Sequence, residues 1–162
     1  MAFDTFIKID GIEGESTDDK HQGWIEVLYF KTEIKQKISS TASSAGGASA
    51  ERANFKDFIF TKQLDKASPK LALACAAGTH IGKIIIKICR AGTDKIKFME
   101  YTLTNCLISK ITTGGSEEVF PAETLKINFG KIEWCYTQQS RAGGGSVGNI
   151  ASGWNLEKNC KL

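Results

Sequence analysis

Proline and histidine are scarce in this 162-residue chain, with two of each. A proline-rich disordered tail is therefore not expected, and a metal site built on histidines has little to draw on. No stretch approaches the roughly 20 consecutive apolar residues that a membrane helix needs. The opening MAFDTFIKID carries Asp4 and Lys8 within its first apolar stretch. It lacks a basic segment followed by a long apolar run, so no Sec-type signal is expected. The five cysteines, Cys75, Cys89, Cys106, Cys135 and Cys160, are irregularly spaced with no CxxC pair. That odd set argues against a disulfide framework and suits folding in a reducing cytoplasm. Neither sign of charge dominates, since the net is +3. The densest basic run, Lys83, Lys87, Arg90, Lys95 and Lys97, is offset by Asp94 and reads as a solvated strand-and-turn face. Nucleic-acid binders concentrate a stronger patch, so no nucleic-acid partner is expected.

What is present is β-pattern. Hydrophobic residues make up 41% and charged residues 24%, enough for one folded domain over residues 1–162. FIKI opens a strand. GWIEVLYFKTEIKQKIS reads as a long β-rich segment, with Ile25, Val27 and Tyr29 on one face. Phe58 and Phe60 share a face, as do Ile84, Ile86 and Ile88. A hairpin through Ala91–Asp94 and a turn at TTGG join further strands. In ETLKINFGKIEWCY the apolar phase changes from Leu125, Ile127 and Phe129 to Ile132, Trp134 and Tyr136, which predicts a β-bulge at Gly130. One helix is expected at about 68–77, with Ser68 as N-cap, Pro69 at its first position and Gly78 as left-handed stop. Residues 39–54, rich in Ser, Ala and Gly, read as a long loop. The fold class is mainly β: an antiparallel barrel or tight two-sheet sandwich with one short helix.

The chemical motifs fail their context tests. Gly143, Gly145 and Gly148 spell G-x-G-x-x-G, but a dinucleotide site needs a helix immediately afterwards. NIASGWN does not supply one, so the glycines read as a connection before a last strand. Cys75 and His80 stand five apart without a second ligand pair, and Cys75 reads as core. Glu15, Asp18 and Asp19 near His21 read as a solvated loop, and Glu117 and Glu118 as an exposed turn. No catalytic, metal or cofactor-binding residue is assigned, and no cofactor is expected.

The order of the pieces nevertheless resembles a family, the haemolysin-coregulated (Hcp) proteins of bacterial type VI secretion. The opening FIKIDGIEGESTDDKHQGWIEV is similar through Gly11, Gly14, Glu15, Ser16, Asp18, His21 and Trp24–Val27. FIFTKQLDKASPKLALACAAGTH resembles the family's strand–helix unit through Lys62, Asp65, Lys66, Ser68, Pro69, Leu71, Ala74, Cys75, Gly78 and His80. ISKITTGGS, ETLKINFGKIEWCY and GWNLEKN continue the match, which runs from Phe3 to Asn159. The resemblance implies a homohexameric ring, stacked into the inner tube of a contractile injector. A trimeric spike caps that tube, a sheath encloses it, and effector proteins ride in the lumen. It also implies cytoplasmic residence before firing and then export to the medium or a target cell without a signal peptide or membrane insertion.

By position, the resemblance puts Lys31 and Thr32 on a lumen strand in contact with effectors. Ser43, Ser44, Gly46 and Gly47 would lie in the loop between protomers or rings, and Gly92 and Lys158 on opposite stacking faces. Lys31 is a departure, because many members carry Ser in an aromatic–Ser–aromatic–Gly run there. A phage-type tail tube protein, or a stand-alone binding domain on the same barrel, is the alternative reading. Nothing follows Asn159 that would hold a catalytic extension, so a fused effector is not expected.

Overall fold

A computed structural model describes residues 2–38, 50–143 and 145–162. Its strands are β1 (Phe3–Ile9), β2 (Ile25–Val27), β3 (Tyr29–Lys31), β4 (Ile34–Lys35), β5 (Asn54–Phe55), β6 (Phe58–Gln63), β7 (Ile81–Arg90), β8 (Lys97–Ser116), β9 (Val119–Gln139), β10 (Ser146–Asn155) and β11 (Cys160–Lys161). The helix α1 spans Ser68–Ala77. The protein is mainly β and antiparallel with one short helix, as the period-two pattern predicts.

β9 pairs with β8, β8 with β7, β7 with β1, and β1 with β2. The opposite edge of β9 carries β6 along its first half and β10 along its second. β6 in turn pairs with β3. Hydrogen bonds alone leave the sheet open, and the circuit is completed covalently through Leu28, between β2 and β3. The segment expected as one long strand is therefore several short ones. β2 faces β1 while β3 faces β6, and the chain must break its ladder to change partner. The Leu28 N–H follows the new partner and donates to the Thr61 carbonyl at 2.8 Å.

Inside this circuit lie Ile7, Ile25, Phe58, Phe60, Ile84, Ile86, Leu103, Leu125, Ile127 and Ile132, all fully buried. The helix adds Leu71 and Ala74 to the same core. At ten residues it is too short to persist alone in water, so burial of Leu71, worth about 1.5–3 kcal/mol, helps hold it. Its termination follows expectation, with Gly78 at φ 62°. Its start does not. The cap position is Ala67 with no side-chain cap, and the Ser68 hydroxyl instead serves a buried charge cluster described below.

Gly130 also departs from expectation. β8 and β9 keep register across it, with Thr104 opposite Lys131 and Cys106 opposite Phe129. Both strands change buried face here together, and Asn105 adopts φ 56°. A Cβ on Gly130 would collide with the Glu157 carboxylate, which accepts a hydrogen bond from Asn105. The glycine is required by that close approach, at the place where β9 exchanges β6 for β10. The irregularities between β8 and β9 lie at Ser109 and near Gly115. TTGG belongs to β8, and the turn is Glu117–Glu118.

Residues 39–49 lie outside the description, while Ala50 bridges to Ile38 and Asn54 already begins β5. In the glycine run, Gly143 has φ 85°, whereas Gly148 is inside β10. A strand stands where a pyrophosphate site would need a helix.

Candidate functional site

Along β6, Phe58, Phe60 and Lys62 are buried, so Ile59 and Thr61 point to the other side. Along β9, Leu125 and Ile127 are buried and Thr124 and Lys126 point out. Strand register therefore composes an outer face from four strands. Lys31 stands opposite Ile59, Ile59 opposite Lys126, and Lys126 opposite Lys110. The neighbouring row is Tyr29, Thr61, Thr124 and Thr112, with the Thr61 and Thr124 hydroxyls 3.0 Å apart.

Lys31 is exposed, as expected for a residue decorating a wet surface, and its Nζ stands 4.0 Å from Glu33. Glu33 is held more closely by Lys56 at 2.7 Å. That hydrogen bond keeps the Glu33 carboxyl below its ordinary range. Thr32 lies just past β3 and is half-buried.

Lys110 and Lys126 were not singled out from sequence. Lys110 reaches this face through the irregularity at Ser109: Ile108 pairs with Ile127, while Lys110 pairs with Lys126. A bulge of this kind re-aims the residues that follow it. Among the described residues neither lysine has an ion pair. Like charges directly opposed across strands are destabilising, so this row breaks a local rule of sheet design. At the margin, Asp57 accepts hydrogen bonds from Ser109 at 2.5 Å and Asn128 at 3.1 Å.

Ser43, Ser44, Gly46 and Gly47 lie outside the described residues. Gly92 is in the exposed β7–β8 turn at φ 146°. Lys158 follows β10, in a turn whose backbone N–H is held by Asn155 Oδ1 at 2.9 Å. The two turns sit at opposite ends of the β7–β10 ladder.

The His21 region is not the solvated loop that its acidic neighbours suggest. His21 is buried, stacks on Phe6 with ring centroids 4.3 Å apart, and meets Trp24 edge-on. Its Nδ1 donates to Asp18 at 2.7 Å, and its Nε2 stands 3.9 Å from Cys89 Sγ. The connectivity is that of a Cys–His–Asp triad. Cys89 is fully buried, however, and burial pushes its thiol up in pKa, so Cys89 presents no reactive thiolate to solvent. Burial likewise pushes the Cys106 thiol up to about 12. All five cysteines are free, and among the described residues no three His, Cys, Asp or Glu side chains converge as a metal set.

For Asp18, burial acts to raise the carboxyl pKa, but the hydrogen bond and charge of His21, joined by the Lys20 N–H and by Lys95, outweigh it and the net shift is downward. A carboxyl depressed in the folded state adds stability above its unfolded pKa, near 3.9, that is lost as pH falls through the folded value. Asp18→Asn should therefore lower the urea midpoint at pH 7, and the gap to wild type should narrow below about pH 4. A gap that stays constant over that range would show the pair to be unimportant.

A second buried cluster ties the helix to the sheet. Lys62, fully buried, reaches Asp65 at 2.7 Å and Glu123 at 2.5 Å. Its ammonium also donates to Ser68 Oγ and to the Gln63 carbonyl, each at 3.1 Å. The Ser68 hydroxyl donates to Glu123 at 2.7 Å and accepts from the Asp65 N–H.

Comparison with known proteins gives one consistent result. Residues 6–136 match the family model described as "Type VI secretion system effector, Hcp". The chain is 35% identical over 161 residues to Protein hcp1 of Pseudomonas aeruginosa, covering 98% of each. A solved type six secretion system protein is 35% identical with a TM-score of 0.91, covering 99% of this chain and 100% of the other. Hcp1 from Salmonella typhimurium is 32% identical with a TM-score of 0.81 over all of both chains.

Proposed function

Because the chain belongs to the Hcp family of the type VI secretion system, we propose that it is a ring-forming subunit of the secretion inner tube. In this reading it is a homohexamer whose rings stack beneath a trimeric spike and inside a contractile sheath. It resides in the cytoplasm before firing and is exported with the tube, carrying effector proteins in its lumen. It acts as a structural carrier and not as an enzyme.

The observation that carries the self-assembly is an uncovered strand edge. Among the described residues, β10 pairs with β9 along one side and with β11 only at Trp154 and Asn155. Its earlier residues expose Val147 and Ile150, and Tyr136, opposite Ile150, is also exposed. Natural sheets rarely leave a long apolar edge open, and a second protomer would cover it. The Gly92 and Lys158 turns then serve as the two stacking faces, and Ser43, Ser44, Gly46 and Gly47 of the long loop as a contact between protomers or rings. Lys31 and Thr32 face the lumen.

Light scattering after size exclusion tests this. Wild type is expected at six times the 17.7 kDa chain mass, with open rings in electron micrographs. Val147→Asp with Ile150→Asp is expected to give a folded monomer. A monomeric wild type would overturn the ring.

A further inference from the structure

We propose that the outer face of β3, β6, β9 and β8 is a docking surface for a protein partner that presents clustered carboxylates. The inference deepens the carrier reading, and rests on it for the identity of that partner as a carried effector.

Lys31, Lys126 and Lys110 are brought into one row by register, Lys31 from a segment far in sequence from the β8–β9 hairpin that carries the other two. The row is flanked by threonine hydroxyls, which add short hydrogen-bonding groups without opposing charge. Of the nearby acids, Glu33 is held closely by Lys56 and loosely by Lys31, while Asp57, at the margin, is hydrogen-bonded by the neutral groups of Ser109 and Asn128. Lys110 and Lys126 face each other without an ion pair among the described residues, so their mutual repulsion is relieved when an anionic group sits between them. Lys31 extends the same potential across two further strands.

The face also bears on which anion fits. The two rows carry no arginine for bidentate phosphate contacts, and Tyr29, the one aromatic in them, gives no series of stacking platforms for bases. A flat, lysine- and threonine-lined sheet suits the carboxylates of a folded protein surface better than a nucleic-acid strand. Such contacts act through charge and weaken with salt.

The test uses the full chain and a fluorescein-labelled twelve-residue oligoglutamate peptide, followed by anisotropy at two salt concentrations. Wild type is expected to bind, and more weakly at the higher salt. Lys31→Gln with Lys110→Gln and Lys126→Gln is expected to weaken binding at least tenfold, with an unchanged or higher melting temperature. Removing the same charge elsewhere, with Lys70→Gln, Lys83→Gln and Lys161→Gln, should change binding less than twofold. Equal loss in both triple variants, or none in either, would overturn the proposal. So would tighter binding of an oligothymidylate of the same length. Scattering mass separates this from the ring. A monomer whose binding depends on the three lysines overturns the ring and keeps the docking face, while a hexamer indifferent to them does the reverse.

Discussion

Replacing Lys62 by alanine is expected to cost about 3–5 kcal/mol of stability, the range found when one partner of a buried ion pair is removed. Lys62 is fully buried and Glu123 nearly so. Removing the ammonium would leave Glu123 and Asp65 to face each other across a space that water enters poorly. The loss also strips a donor from Ser68, whose hydroxyl links the start of α1 to β9. For a chain of this size each kcal/mol moves the melting temperature by roughly 2–4 °C, so a fall of about 10 °C should appear in a thermal melt. The control is the neutral replacement. Lys62→Met combined with Glu123→Gln removes the two most deeply buried charges while keeping volume, leaves Asp65 at the more exposed margin, and should recover part of the loss. If the single variant melted within about 2 °C of wild type, the cluster would not be holding the helix to the sheet.

Phe58→Ala should be similarly damaging, by about 3–5 kcal/mol, because a fully buried aromatic leaves a cavity that its neighbours only partly fill. Phe58 is 0% exposed and lies between rings on two other strands. Its centroid stands 6.1 Å from Phe30 beside β6 and 5.7 Å from Tyr101 on β8. It therefore joins the strand that closes the circuit to one on its far side. Phe58→Leu should cost much less, since it retains most of the volume. Phe120→Ala, at a position 61% exposed, should change stability by no more than about 0.5 kcal/mol. Urea midpoints with unchanged slope would measure each difference. Equal midpoints for Phe58→Ala and Phe120→Ala would contradict the assigned core. The Phe58→Ala protein should also assemble less well than wild type, because a destabilised protomer leaves less folded chain to enter a ring.

Much of this architecture was legible in the residues. Period two marked Phe58 with Phe60, Ile84 with Ile86 and Ile88, and Leu125 with Ile127 as buried sets, since a strand has only two faces to offer. Pro69 and Gly78 bounded the helix because one tolerates the first turn and the other the left-handed exit. The order of motifs from Phe3 to Asn159 identified the family. The errors share a cause. Ser68 has the chemistry of a cap, but the buried Lys62 and Glu123 compete for its hydroxyl and win. Gly130 looked like a bulge because phase changed there, yet both strands change face together under the Glu157 side chain. His21 sat among acids that suggested solvent, while Phe6 and Cys89, distant in the chain, bury it.

What the chain alone determined, then, is each strand's inner and outer residues, the helix and its stop, and the family. Which strands stand side by side, and in what register, was decided only on folding. A lysine pattern within one strand says nothing of the strand that will lie against it. Lys31, Lys110 and Lys126 became one row because β6 docks on β9, β3 on β6, and the irregularity at Ser109 turns Lys110 outward. Register is set by how distant segments pack their buried faces together, and the charge row on the outside is carried along by that packing.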